Sequence, residues 1–261
     1  VNLSLILVSR NDQWESIGDN TPLYRLTRTL QWTLPKLTSQ EEIVLVDWGS
    51  EVKLADALPP EVVADPRLRI FYVAAARAAA CGSSFSEPHA LNYAARVARG
   101  KWLARIDQDT LPGDRFFRWL PEARSGGFYF SNRRDMAEGQ RSPSEKAVYG
   151  NEPTDYPPSG EGFWRWSVGV LMVERELWHR IRGYDERNIG RNHMEHEFIG
   201  RLNRSAQLVN LGMILGCPFW HQSHPRSGHA SRPQNRLLNY SQLQALPEVA
   251  NSESWGMADL L

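Results

Sequence analysis

Two aspartates one residue apart, Asp107 and Asp109, close a short apolar run from Trp102 to Ile106, and Pro112 and Gly113 follow at once. An apolar run that stops at an acid-X-acid triplet reads as a strand delivering carboxylates to the carboxyl edge of a sheet, where open α/β sheets bind their ligands. A strand alternates its faces, so Asp107 and Asp109 can share one side while Gln108 points away. Two close carboxylates repel each other in a low dielectric. A divalent cation relieves that repulsion, and oxygen ligands suit Mg2+ or Mn2+. Acid-X-acid triplets are also common in ordinary turns, so other residues must supply the context.

Several do. Gly183-Tyr184-Asp185-Glu186 leads into His193-Met194-Glu195-His196-Glu197, and helical spacing places Phe198 and Leu202 on one face. Glu195 then stands near the amino end of a helix, where the macrodipole favours an acid whether or not it does chemistry. Glu197 competes for any role given to Glu195, and His193 and His196 flank them. Phe219-Trp220-His221 ends another apolar run on an imidazole, with His224 its nearest rival as a ligand. Ser9 and Arg10 end the first apolar run and Arg77 follows the third, where each could meet phosphate or base. Trp164 and Trp166 offer flat faces for a sugar, or plain core packing.

The elements that must position these groups follow from patterning. Leu3 to Ser9, Ile43 to Val46, Leu68 to Val73 and Trp102 to Ile106 are near-continuous apolar runs, the signature of buried parallel strands. Between them, Thr21 to Leu37 and Pro88 to Arg99 carry helical spacing, with Gly100 stopping the second. This alternation predicts an α/β domain with a mostly parallel, Rossmann-like mixed sheet flanked by helices. Further on, Phe128 to Asn132, Ser167 to Glu174, Leu208 to Leu215 and Phe219 to His221 read as strands, and Arg175 to Ile181 as a helix. Residues 133–162 read as a long polar loop or lid, and 239–261 as a loosely attached amphipathic tail. The chain divides into 1–112, 113–225 and an extension 226–261 within a single domain. There is no Gly-X-Gly-X-X-Gly and no Gly-Lys-Ser/Thr loop, which argues against a dinucleotide fold or a P-loop.

Composition excludes some classes. Among 261 residues, 30 Lys+Arg balance 30 Asp+Glu, so no basic field points to nucleic acid. No apolar run approaches the ~20 residues of a membrane span, and Val1 to Val8 lacks the basic start and length of a signal peptide. Cys81 and Cys217 form no framework and read as separate thiols in a reducing compartment; the expected location is cytoplasmic or peripheral to a membrane.

Four landmarks in order, Asp47-Trp48-Gly49-Ser50, Asp107/Asp109, Gly183-Tyr184-Asp185-Glu186 with Glu195, and His221, resemble nucleotide-sugar glycosyltransferases of the GT-A fold, family-two-like. The C-terminal half is similar to galactosyltransferase-type domains and to chondroitin-polymerase-like bacterial polysaccharide polymerases. The resemblance spans residues 3 to 225. It implies that Asp47 contacts a uracil-type base, although Trp48 stands where the family usually has a second acid. It implies that Asp107 and Asp109 hold the ribose and the diphosphate-bound metal, that His221 completes the metal shell, and that Glu195 is the general base. The family's usual pair there is Glu-Asp; this chain has Met194-Glu195. Residues 1–112 would bind the donor and 113–225 the acceptor. The implied activity is metal-dependent, inverting transfer from a nucleotide-diphosphate sugar, UDP-linked, to a hydroxyl of a glycan or glycoconjugate in polysaccharide biosynthesis. A mixed oxygen and nitrogen shell favours Mn2+ somewhat over Mg2+. Two alternatives remain. One is a binding module for carbohydrate or nucleotide sugar without turnover. The other is a sugar-phosphate nucleotidyltransferase, which needs a Gly-rich basic loop after the first strand; here no glycine occurs between Ser9 and Gly18.

Overall fold

The strand β1 (Leu3–Ser9) is buried along its whole length, and its side chains divide between two cores. Leu3, Leu5 and Leu7 pack with Leu26 and Leu30 of the helix Pro22–Thr33, while Ile6 and Val8 pack with Ala90, Leu91, Ala94 and Ala95 of the helix Glu87–Val97. A strand apolar on both faces needs cover on both, and the small-residue face of the second helix gives it. The computed structural model describes residues 2–13, 16–83, 85–136, 168–190, 193–224 and 235–261.

Parallel pairing joins β1 to β2 (Glu41–Trp48) and β4 (Trp102–Arg105), and β2 to β3 (Leu68–Val73). Antiparallel β8 (Val168–Glu174) extends the sheet from β4. It is followed by β6 (Gly127–Asn132) and then β9 (Gln207–Asn210), giving the order β3-β2-β1-β4-β8-β6-β9. The strand order reverses between β1 and β4, so a crevice opens at their carboxyl ends. Ser9 and Asp107 stand there. A second, three-stranded sheet lies beside this crevice: β10 (Phe219–His221) runs antiparallel to β5 (Thr110–Pro112) and parallel to β7 (Arg134–Asp135).

Five expectations need correction. The strand carrying the triplet ends at Arg105; Asp107 to Thr110 form a turn closed by the Thr110 N–H on the Asp107 carbonyl at 3.0 Å. Gln108 does not point away, because its Oε1 accepts from Ser9 Oγ. The run Leu208 to Leu215 divides into β9 and a helix, Leu211–Leu215. The Asn210 side chain caps that helix by accepting from Met213 N–H at 3.2 Å, and a local cap of this kind overrides an apolar run. The first helix stops at Thr33 and tightens into a 3-10 turn, Leu34–Lys36, because Pro35 has no N–H to donate.

The last correction concerns the tail, which is docked. Trp255 and Met257 are buried in the core, and the Arg96 guanidinium stacks 4.5 Å from the Trp255 ring. Asn251 Nδ2 donates to the carbonyls of Arg182 at 2.7 Å and Tyr184 at 2.5 Å. The stretch read from sequence as a loop or lid lies, from residue 137 on, outside the described residues, as do Trp164 and Trp166. Among the described residues no helix is long and apolar enough to cross a membrane.

Candidate metal and donor site

The small sheet solves a problem of distance along the chain. Pairing of β10 with β5 sets His221 opposite Thr110, one residue past Asp109, and pairing with β7 sets it opposite Asp135. The Gln222 N–H donates to the Asp109 carbonyl at 2.9 Å and locks that register. Three ligand atoms converge as a result. Asp109 Oδ2 lies 3.4 Å from His221 Nε2 and 3.2 Å from His224 Nε2, and the two nitrogens are 3.1 Å apart. Ligands about 2.1 Å from one cation, at angles between octahedral and tetrahedral, are separated by about 3.0 to 3.4 Å. The triangle therefore has the size a divalent ion requires. Among the described residues Asp109 Oδ1 is buried with no hydrogen-bond partner, so the carboxylate has capacity to spare. Asp109, His221 and His224 form a group with metal-ligand spacing among the described residues. Burial alone would raise the Asp109 carboxyl, but His221, His224 and Arg133 hold it well below the usual carboxylate range. The reciprocal effect appears on His221: burial would lower it, and Asp109 outweighs burial and raises it. His221 Nδ1 meets Asp135 Oδ1 at 2.8 Å, which turns Nε2 toward Asp109.

Beside the triangle lies a second charged cluster. Arg133, just after β6, contacts Asp107 Oδ2 through Nη1 and stands 3.8 Å from Asp109 Oδ1, a cation between the two aspartates. Arg105, the last residue of β4, presents one nitrogen, Nη2, to Asp107, Glu87 and Glu195. Glu195 sits in the first turn of the helix Met194–Leu202, which His193 enters at φ 61°. Glu197 is committed elsewhere. Arg201 grips it at 2.5 and 3.0 Å, and its other donors reach the Ile181 and Gly183 carbonyls. Of the two rival acids, Glu195 is the one joined to the Asp107 cluster.

The remaining candidates divide. Asp47 is fully buried at the end of β2, and its oxygens accept from the Ser50 and Leu54 N–H groups at 3.2 and 2.8 Å, holding the turn after the strand. Ser50 Oγ in turn accepts from Asn11 N–H at 2.8 Å, which ties that turn to the loop after β1. Trp48 is core. Arg10 lies 3.9 Å from Asp12. Arg77 is not brought to the triplet; it pairs with Asp259 of the C-terminal segment at 2.8 Å.

Sequence reasoning missed Glu87, Arg133 and Asp135, and ranked His224 below His221. Glu87 opens a helix, which reads as a macrodipole acid. Arg133 and Asp135 follow the apolar run Phe128 to Asn132 as Arg105 precedes the triplet, and a charge flanking a strand end is the signal that could have found them.

No family model matches the sequence, and no curated protein matches it. Solved structures do match. The Staphylococcus aureus TarS fragment 1-349 superposes with a TM-score of 0.54 at 14% identity, covering 85% of this chain and 60% of that one. A mannosyltransferase from Pyrobaculum calidifontis, solved with GDP-Man and Mn2+, gives 0.54 at 16% identity over 87% of this chain and 58% of its own. A Drosophila β1,4-galactosyltransferase 7 mutant with manganese, UDP-Gal and xylobiose gives 0.50 at 16% identity over 94% and 80%. The fold is GT-A. At such identities the likeness establishes the fold alone, and the chain spans 60% of the TarS fragment it matches. Within the GT-A fold, the crevice between β1 and β4 and the Asp109 triangle occupy one edge of the sheet.

Proposed function

We propose that the chain is a metal-dependent inverting glycosyltransferase, taking its sugar from a nucleotide-diphosphate donor, UDP-linked, and passing it to a hydroxyl of a glycan or glycoconjugate. The observation that carries this reading is the cation-sized triangle of Asp109, His221 and His224 next to the Arg105–Glu195 pair, on the ligand edge of a GT-A sheet. Crystals of similar folds that contain Mn2+ with a nucleotide sugar add support.

In this reading Asp109, His221 and His224 hold Mn2+ or Mg2+, and the two imidazoles tilt the choice toward Mn2+. A divalent ion so held supplies positive charge to a departing diphosphate. Asp107 accepts from ribose hydroxyls, and Arg133 lies close enough to both aspartates to meet a phosphate oxygen when the donor displaces it. Ser9, Arg10 and the turn held by Asp47 contact the nucleoside. Glu195 takes the proton of the acceptor hydroxyl as its oxygen bonds to the anomeric carbon. The bond from that carbon to the diphosphate breaks, and its electron pair leaves with the nucleoside diphosphate. One base opposite one leaving group gives a single displacement and inversion, through an oxocarbenium-like transition state. Residues 1–112 serve the donor and 113–225 the acceptor, with a galactosyltransferase- or polymerase-like acceptor half in which Trp164 and Trp166 stack on sugar.

The test is turnover of UDP-, GDP- and CMP-sugars with and without EDTA, alongside Asp109→Ala. Loss in both and an inverted product anomer support the reading. Turnover unchanged by EDTA and by the substitution refutes the metal role. Donor binding without product over long incubation would leave a binding module instead.

A further inference from the structure

Arg105 is 4% exposed, and three carboxylates share its Nη2: Asp107 Oδ1 at 2.7 Å, Glu87 Oε1 at 2.8 Å and Glu195 Oε1 at 3.0 Å. Its Nε and Nη1 are buried with no hydrogen-bond partner among the described residues, where its carboxylate contacts run through Nη2. Stripping a buried charge of a partner is costly. Yet the transfer described above neutralises Glu195, and removes one of the three anions just as the reaction proceeds.

We propose that Glu87 is a positioning residue that keeps Arg105 paired while Glu195 holds the acceptor's proton. This rests on the reading of Glu195 as base. The two glutamates are alternate anions for one nitrogen. Glu87 reaches it from the first turn of the helix Glu87–Val97, Glu195 from the first turn of Met194–Leu202, and Asp107 from the turn after β4. The groups facing Glu87 are Arg105, Asp107 and Glu195, and the buried Tyr184 hydroxyl shares their field. His89, on the same helix as Glu87, turns instead to Glu186 at 3.8 Å and to Ser86 Oγ at 2.7 Å. Burial raises the Glu87 carboxyl to about 7, with Arg105 opposing the rise and Glu195 and Asp107 adding to it. Near neutrality Glu87 is therefore poised between its two forms, and its charge responds to that of Glu195.

The size of the response follows from the distances. Two oxygens within 3.0 Å of one nitrogen are at most about 6 Å apart. Unit charges at that separation and an effective dielectric of about 20 shift one another by about two pH units, and the 31% exposure of the Glu87 side chain screens this to about one.

The experiment is a pH titration of the chain carrying 13C-labelled glutamate carboxyls, followed by NMR, in the unaltered protein and in Glu195→Gln. The expected result is a Glu87 midpoint near 7 that falls by about one unit in the variant. A midpoint that does not move overturns the proposal. In parallel, kcat and KM for UDP-GlcNAc and GDP-Man hydrolysis are measured from pH 5 to 9 with Glu87→Gln. The expected loss is about tenfold in kcat, with donor KM within about twofold and the acid limb moved to lower pH. A lowered kcat with an unmoved limb also overturns it. If the unaltered protein turns over neither donor, the glycosyltransferase reading suffers while the NMR titration still decides the pairing, and it needs no Glu87 variant to fold.

Discussion

Removing the acceptor that turns the His221 ring should weaken cation binding without touching a ligand. Asp135 Oδ1 lies 2.8 Å from His221 Nδ1, and that contact points Nε2 at Asp109. With a cation on Nε2, the proton must reside on Nδ1 and be donated to Asp135. Loss of such an outer partner costs about 10- to 100-fold in metal affinity. The Asp135 side chain is 46% exposed, so water competes for the same proton and the lower end applies. We expect Asp135→Asn, which keeps an acceptor but loses the charge, to bind Mn2+ severalfold more weakly. Asp135→Ala should lose about tenfold, or ~1.4 kcal/mol. The assay is the electron paramagnetic resonance signal of free Mn2+ during titration, with Asp109→Ala as the variant that loses a ligand. An Asp135→Ala dissociation constant within twofold of the unaltered protein, beside a large loss in Asp109→Ala, would refute the orienting role.

Other outcomes follow from the same geometry. Because Asp109 draws a proton onto His221, Mn2+ uptake must expel that proton; affinity should fall as the pH drops, and calorimetry in buffers of different ionisation enthalpy should show about one proton released. Uptake near pH 6 with no proton release would count against His221 as a ligand. Glu87 has a folded pKa of about 7 against 4.5 when unperturbed, so the stability it contributes is fully present below about 4.5 and is lost as pH rises through about 7. The stability of the protein relative to Glu87→Gln, by urea unfolding, should decline by about 1–2 kcal/mol between pH 5 and 8; a flat difference contradicts the burial argument. Gly183 has φ 66°, and a Cβ there would lie 2.0 Å from Asn92 Oδ1, the group that accepts from Tyr184 N–H. Gly183→Ala should destabilise by about 2–4 kcal/mol, and an unchanged urea midpoint would show that the segment can shift freely.

The sheet was legible because buried parallel strands leave continuous apolar runs, and β1, β2 and β3 are such runs. The triplet was legible for a related reason, since polar residues at a strand's end stand out against it. What the runs could not convey was how β5, β7 and β10 pair. Strands of two or three residues carry almost no periodicity, yet their register is what joins Asp109 to His221 and Asp135. Arg105 was hidden for the opposite reason. It ends an apolar strand, and Glu87 and Glu195, arriving from two distant helices, join Asp107 in pairing the buried guanidinium there. The segment Gly183-Tyr184-Asp185-Glu186 was noticed as a landmark, and its structural work is to brace the start of the acidic helix. Asn92 and Asn251 hold its backbone, and Arg201 links its carbonyl to Glu197. The tail was misjudged because Trp255 and Met257 are single apolar residues in a polar stretch, and their burial depends on a surface formed by other helices.

The central claim is that Asp109, His221 and His224 grip one divalent ion at the donor edge of the sheet. Anomalous diffraction at the manganese edge, from crystals soaked in MnCl2 and UDP, tests it most directly. The expected result is a single peak within about 2.3 Å of Asp109 Oδ2 and both Nε2 atoms, touching the diphosphate. UDP bound with manganese elsewhere, or with none between these three residues, would contradict it.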